Sequence, residues 1–238
     1  MASAKENKEG RMTMDWSPIL ISMRTAGLSI VFTFFMGILA AWMVVRISHP
    51  LMKTILDGIF TIPLVLPPTV AGFFLLLIFS TRRTVGSYLY TTFDIKIVQS
   101  WAGCVIAATV IAFPLMYRNA RAAFEQVDVN LIYAAQTLGM PEWKIFWRVI
   151  MPAAGPGVAS GTILAFARAL GEYGATSMLA GNIPGKTATI SQRIAMVIQD
   201  GDYMTAGIWV VIIMLVAFVL IFLMNLVTGR NMKNIRRW

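Results

Sequence analysis

The side chains that most often perform catalysis or bind metal ions are scarce in this sequence of 238 residues. There is one histidine, His49, directly before Pro50, and one cysteine, Cys104, inside an apolar run. Metal centres usually need three or four His, Cys or acidic ligands, and a nucleophile needs a base beside it. The sequence therefore argues against a metal cluster and a catalytic dyad, and a single cysteine excludes an internal disulfide bond.

A short stretch resembles a nucleotide-binding loop in composition. Residues 181–187 read GNIPGKT, but the phosphate-binding pattern G-x-x-x-x-G-K-[ST] needs its first glycine at position 180, where the chain has Ala180. Pro184 interrupts the stretch, and no strand pattern precedes it. We therefore predict an extracytoplasmic loop that does not bind nucleotide.

Two charged residues lie in an apolar stretch that is rich in small residues. Arg168 and Glu172 are four positions apart, so a helix places them on one face. A lone charge at membrane depth is costly, so the two are predicted to pair and to face the interior of a helix bundle. A structural ion pair is the first interpretation, and a direct gating or substrate-binding role is the alternative.

The composition indicates that these residues lie in a membrane protein. The chain is 58% hydrophobic and 13% charged, with a mean hydropathy of +0.71, whereas soluble domains carry about a quarter charged residues. The net charge is +9, but no basic stripe with interleaved aromatics indicates nucleic-acid binding. Positive residues that flank membrane spans explain this charge.

Five apolar segments are long enough to cross a bilayer as helices. They are residues 19–45, 59–79, 98–116, 157–180 and 206–227. The sequence therefore predicts an all-α membrane protein with five transmembrane helices. Residues 16–230 would form one transmembrane domain, between a disordered N-terminal tail of residues 1–15 and a basic C-terminal tail of residues 231–238.

The positive residues predict the orientation in the membrane. With five spans, one set of loops carries ten Lys and Arg, and the other set, with the N-terminal tail, carries eight. This bias favours an N-terminus outside the cell and a C-terminus in the cytoplasm. The longest stretch between spans, residues 118–152, then lies in the cytoplasm.

The segment of residues 129–152 reads VNLIYAAQTLGMPEWKIFWRVIMP. Its first half has apolar residues at helical spacing and ends at a glycine, which is a helix C-terminus signal: Leu131, Ile132, Ala135, Leu138 and Gly139. Pro141 and Glu142 then open a second, short helix. On periodicity alone, an amphipathic helix at the membrane interface and a docking element for a partner are both open interpretations.

This segment resembles the signature loop of binding-protein-dependent ABC importer permeases, in which Glu-Ala-Ala, three residues, Gly, nine residues and Ile-x-Leu-Pro follow one another. Matching positions hold Ala134, Ala135, Gly139 and Pro152, whereas Tyr133, Val149 and Met151 depart from the pattern. The resemblance implies a type I importer fold with a cytoplasmic coupling helix that inserts into an ATPase. Because Tyr133 replaces the glutamate, no salt bridge of that residue carries over. The implied ATPase-coupling residues are Ala134, Ala135, Gly139, Met140, Pro141, Glu142, Trp143, Lys144, Phe146 and Trp147.

Two further stretches resemble permeases for tetrahedral oxyanions, and the molybdate permeases most. They are residues 62–77 and 167–190, supported by residues 112–116. The proline-rich first stretch predicts a bent helix that lines the translocation pathway, and a bend used only for packing is the alternative. The candidate pathway or gate residues are Pro63, Pro67, Pro68, Gly72, Arg168, Glu172 and Gly174.

The resemblance implies a non-catalytic permease for molybdate in the cell inner membrane. The expected assembly is a homodimer with two cytoplasmic ABC ATPase subunits and an extracytoplasmic molybdate-binding protein, surrounded by membrane lipid. No cofactor is expected in this chain, because ATP and Mg²⁺ would bind to the ATPase. Sulfate, thiosulfate or tungstate is the alternative substrate, and a gradient-driven secondary transporter is a rival class. A membrane enzyme is the weakest rival.

Overall fold

The structure, a computed structural model, describes residues 15–235, so that nearly all of the predicted N-terminal tail and residues 236–238 lie outside the described part. Within that part the chain is helical and contains no strand, as the all-α prediction requires. The elements are α1 (Ser17–Arg46), α2 (Pro50–Val65), α3 (Pro68–Phe79), α4 (Thr84–Phe93), α5 (Trp101–Glu125), α6 (Val129–Thr137), α7 (Glu142–Ile145), a π-helical turn (Phe146–Ile150), α8 (Met151–Leu170), α9 (Gly174–Ala180), α10 (Ile190–Gln199) and α11 (Tyr203–Ile235).

Several helix starts are fixed by local side-chain caps. Ser100 caps α5, and Thr189 forms a capping box with Gln192 at the start of α10. Asp202 precedes α11 and accepts a hydrogen bond from the backbone N–H of Thr205 at 3.0 Å. The hydrogen bonds from Thr205 hold the pKa of the Asp202 carboxyl below its usual value. These caps are readable from neighbouring residues in the sequence.

Four helical segments are long and apolar enough to cross a membrane. They are Ser17–Arg46, Trp101–Glu125, Glu142–Leu170 and Tyr203–Leu226. The pair α2 and α3 qualifies as a fifth if it forms one broken span, because the chain bends by 110° between the two helices. The protein is therefore a multi-pass membrane protein with four or five spans in its described part.

Two of the predicted spans are not single helices. The segment 59–79 is broken at Leu66 and Pro67, because Pro67 adopts an extended backbone conformation and Pro68 starts a new helix. The segment 157–180 is broken after Leu170, where α8 ends, and α9 starts at Gly174. Hydropathy reports a continuous apolar run in both cases, whereas proline and local capping decide where the backbone turns.

The centre of the bundle is α5, which packs between α1 and α8. Its buried positions are mainly small residues, and small residues on the facing helices allow close approach. A Cβ added to Gly37 would lie 2.6 Å from Cγ of Met116, and one added to Gly161 would lie 2.6 Å from Cβ of Asn119. In contrast, only 6% of the apolar window of α11 is buried within this chain. The exposed sides of α11 therefore face lipid or other subunits.

Candidate functional site

The predicted cytoplasmic segment begins with α6, whose two ends are fixed by local chemistry. Asp128 caps its start. At its end Gly139 has φ +71°, and its N–H donates to the carbonyl of Gln136 at 2.9 Å, while the N–H of Met140 donates to the carbonyl of Ala135 at 3.2 Å. These two bonds form a Schellman motif, in which glycine avoids the strain of a left-handed backbone. Gly139 is therefore needed for its conformation, and an added Cβ would meet nothing within 4 Å.

The short helix α7 continues into α8 without a break in the backbone. The carbonyl of Pro141 accepts hydrogen bonds from the N–H groups of Lys144 at 2.9 Å and Ile145 at 3.1 Å. The π-helical turn follows, and the N–H of Met151 closes it on the carbonyl of Phe146. In a regular α-helix the ring of Pro152 would clash with the carbonyl four residues before it, and a widened turn at this point relieves that clash. Displacement of α7 must therefore move α8 with it.

The segment from α6 to the π-helical turn, residues 129–150, which we call the loop, has an apolar outer face and a buried inner face. Leu138 is 80% exposed and Trp143 is 64% exposed, and Trp147 is exposed beside them. Ala135 and Phe146, which the resemblance implies as ATPase-coupling residues, are buried within this chain. Of the remaining predicted coupling residues, Met140 is partly buried, and the others are exposed: Ala134, Gly139, Pro141, Glu142 and Lys144.

The inner face of the loop is held by residues from distant parts of the chain. The ring of Phe146 lies 5.2 Å from that of Trp42 in α1 and 5.8 Å from that of Phe124 in α5. Arg46, at the end of α1, pairs with Glu142. Sequence reasoning missed Trp42, Phe124 and Arg46, because they are separated from the loop in sequence and no local pattern links them to it.

Three of the predicted pathway residues meet where α3 crosses α9. A Cβ added to Gly72 would lie 2.6 Å from Cα of Ala175, and one added to Gly174 would lie 3.0 Å from Cβ of Pro68. We call this set the α3–α9 contact: Pro68, Gly72, Gly174 and Ala175. Pro67 lies in the break that precedes α3, and Pro63 lies inside α2 on the far side of that break. The glycines permit an approach that larger residues would prevent.

Arg168 and Glu172 form an ion pair at the break between α8 and α9. Nη1 of Arg168 lies 2.6 Å from Oε2 of Glu172, and the other carboxylate oxygen accepts a hydrogen bond from the N–H of Ala175 at 2.8 Å. Glu172 is 2% exposed. Both of its oxygens are therefore engaged, one by the neighbouring charge and one by the start of α9. The pair joins the end of α8 to the α3–α9 contact.

A second charged network joins α2 to α5 and was not anticipated from the sequence. Arg121 pairs with Asp57, and its Nε lies 3.1 Å from Oε1 of Glu125. Nζ of Lys53 lies 2.9 Å from the same oxygen, and the hydroxyl of Tyr117 donates to Asp57 at 2.9 Å. Since α2 has no fully buried residue, these contacts position it against α5.

The GNIPGKT segment folds around its own polar groups. The hydroxyl of Thr187 accepts a hydrogen bond from the N–H of Ile183 at 2.9 Å, and the side-chain amide of Gln192 donates to the carbonyl of Gly181 at 3.0 Å. Thr187 is buried. In residues 15–235, no cluster of three or more His, Cys, Asp or Glu side chains is placed to hold a metal ion.

Transport system permease proteins of other organisms are similar to most of this chain. The molybdenum transport system permease protein ModB of Escherichia coli is 44% identical over 185 residues, which cover 78% of this chain and 80% of the relative. The putative molybdenum transport system permease protein YvgM of Bacillus subtilis is 40% identical over 208 residues, covering 87% and 91%. The sulfate transport system permease protein CysT of Escherichia coli is more distant, at 32% identity over 210 residues, covering 88% and 75%.

Solved structures share the fold at low sequence identity. A bacterial ABC transporter that imports alginate matches with a TM-score of 0.73 at 18% identity, over 90% of this chain and 78% of that one. The MetNI methionine ABC transporter, in an inward-facing conformation, matches with a TM-score of 0.67 at 15% identity, over 92% and 95%. Residues 33–236 match the model of the family described as binding-protein-dependent transport system inner membrane component. The chain belongs to this family of membrane components.

Proposed function

We propose that this chain is the non-catalytic, membrane-spanning permease subunit of an ATP-driven importer of molybdate. The substrate assignment rests on the identity of 40–44% to molybdenum transport permeases over most of the chain. The permease role is further supported by the geometry of the cytoplasmic segment. The short helix α7, with exposed Trp143, continues through the π-helical turn, with exposed Trp147, into α8. Such a continuous segment is suited to receive a displacement from a partner and to transmit it.

The proposed assembly contains two copies of this chain, two cytoplasmic ATPase subunits and an extracytoplasmic molybdate-binding protein. The exposed apolar surface of α11 gives the chain a face that lipid and a second subunit cover in this assembly. In this arrangement the chain has five spans, with α2 and α3 forming one broken span. Its N-terminus is outside and its C-terminus is in the cytoplasm. ATP and Mg²⁺ bind to the ATPase, and this chain needs no cofactor.

The proposed mechanism follows the contacts from the cytoplasmic loop to the pathway. ATP binding brings the two ATPase subunits together, and each draws one α7 with it. Because α7 and α8 are continuous, α8 moves and carries the pair Arg168–Glu172. Glu172 also caps α9, so the displacement reaches the α3–α9 contact. The anion would pass this region with brief, weak contacts, because Glu172 offsets the charge of Arg168.

The experiment that tests this function measures uptake into vesicles that contain the complete complex with its binding protein. We expect molybdate uptake that requires ATP and is lost when residues 140–147 are deleted. Omission of the binding protein serves as the control. Uptake that follows an ion gradient without ATP would contradict the permease assignment. Uptake of sulfate in preference to molybdate would change the substrate and leave the permease role intact.

A further inference from the structure

We infer that a joint connects the cytoplasmic loop to α1, in addition to the continuity of α7 with α8. ATPase-driven motion then reaches the opposite end of the molecule by two routes. We call it the α1 joint, and it consists of Trp42, Arg46, Glu142 and Phe146. This inference rests on the proposed function, because it assumes that α7 is the helix displaced by the ATPase. Within the joint, Trp42 and Arg46 are positioning residues.

Glu142 is the polar part of the α1 joint and links three elements. It starts α7, its Oε2 pairs with Arg46 of α1, and its Oε1 accepts a hydrogen bond from the amide of Gln136 of α6 at 3.3 Å. The guanidinium of Arg46 also lies 4.5 Å from the ring centroid of Trp42. This stacking fixes the direction in which Arg46 reaches the loop. A single carboxylate thereby fixes α7 relative to both α1 and α6.

Phe146 is the apolar part of the joint. It is buried, and the rings of Trp42 and Phe124 lie within 5.8 Å of it. Trp42 therefore contacts both parts of the joint, because the guanidinium of Arg46 lies over its ring and the ring of Phe146 packs against it. Because a packed aromatic cluster resists separation, the end of α1 must follow α7 when α7 is displaced.

The far end of α1 is bound to the opposite side of the bundle. The hydroxyl of Ser22 accepts a hydrogen bond from the N–H of Ile190 at the start of α10 at 2.8 Å, and Thr25 accepts one from the indole of Trp101 at 3.0 Å. Both acceptors are buried. α1 is thus a continuous rod of residues 17–46 between the cytoplasmic loop and α10. The second route runs from α7 through α1 to α10, beside the route through α8.

The ion pair is about half exposed, so it adds little to folding stability. Its expected effect is on the orientation of α7 and therefore on coupling. We expect Arg46→Gln and Glu142→Gln to lower the number of anions imported per ATP hydrolysed by about two- to fivefold. The double variant should lose no more than either single variant, because both remove the same interaction. Arg46→Lys keeps the charge and should retain most of the coupling.

The measurement uses the complete complex in vesicles, with molybdate uptake and ATP hydrolysis recorded on the same preparation. Arg118→Gln is the matched control, since Arg118 is an exposed arginine of α5 outside the joint, and it should keep the wild-type ratio. Losses in the two single variants that add up in the double variant would overturn the joint, as would an unchanged ratio in both. Failure of the wild-type complex to import molybdate would instead refute the proposed function.

Discussion

Gly139 shows how one residue type determines the geometry of the loop. It is the only position between α6 and α7 with a positive φ, and it has free space around it. Its substitution therefore tests conformation without a steric clash.

We predict that Gly139→Ala weakens the turn by about 1 kcal/mol, because an L-residue is strained in the left-handed region. Molybdate uptake by the complete complex should fall, while the thermal stability of the spans should change little. Gly139→Asn is the matched control, since asparagine adopts this conformation more readily than alanine. Equal uptake by the alanine and wild-type chains would contradict the assigned role of the turn.

Glu172 combines a charge pair and a helix cap in one buried carboxylate. We predict that Glu172→Ala lowers stability by about 3 kcal/mol, because it leaves Arg168 unpaired and α9 uncapped. The loss should appear as a lower melting temperature of the purified complex. Glu172→Gln should be milder, since its amide oxygen can still accept the hydrogen bond from Ala175.

The double variant Arg168→Met with Glu172→Met separates a structural role from a role in transport. Apolar residues of similar length often replace a buried ion pair with little loss of stability. If stability and uptake both recover relative to Glu172→Ala, the pair is structural. If stability recovers and uptake does not, Arg168 acts on the anion.

At the scale of elements, the breaks between helices decide which residues of the proposed pathway meet. Proline residues turn the chain by 110° between α2 and α3, and residues 171–173 separate α8 from α9. Both breaks bring a helix N-terminus to the α3–α9 contact. The prolines indicated the first break from the sequence, whereas the second depends on a cap that links Glu172 to Ala175.

The α3–α9 contact makes a prediction about packing. Gly72→Ala should destabilise the protein by about 1–3 kcal/mol, because the new Cβ would lie 2.6 Å from Cα of Ala175 and backbone must move. The matched control is Gly58→Ala in α2, where an added Cβ meets nothing within 4 Å. Since alanine favours a helix over glycine, this control should be neutral or slightly stabilising. Melting temperatures of the two variants in one detergent make the comparison, and equal values would refute the close approach.

At the scale of the whole molecule, two exposed segments are predicted to lie on opposite sides of the membrane. The loop proposed to be cytoplasmic presents Leu138 and Trp143, and the GNIPGKT loop presents an exposed Lys186. The native thiol, Cys104, is buried. A new surface cysteine would therefore report on its own side of the membrane without interference from Cys104.

We predict that Leu138→Cys reacts with a membrane-impermeant thiol reagent only when the cytoplasmic face is accessible, as in inverted vesicles. Lys186→Cys should react only from the outside of intact cells. Bound ATPase should protect the first cysteine, because the loop is the proposed contact. Labelling of both cysteines from the same side would contradict the proposed orientation. Labelling of Leu138→Cys that the ATPase does not reduce would contradict the contact.

The sequence by itself determined the membrane location, the helical class and the turn from α6 to α7, because hydropathy, Asp128, Gly139 and Pro141 act through neighbouring residues. Tertiary structure alone decided that Arg46 meets Glu142 and that Gly72 meets Ala175. Such pairs depend on how helices rotate and cross, and no local pattern records that geometry. For the same reason, the burial of Phe146 against Trp42 and Phe124 could not be read from the sequence, where the resemblance implied only a contact with the ATPase.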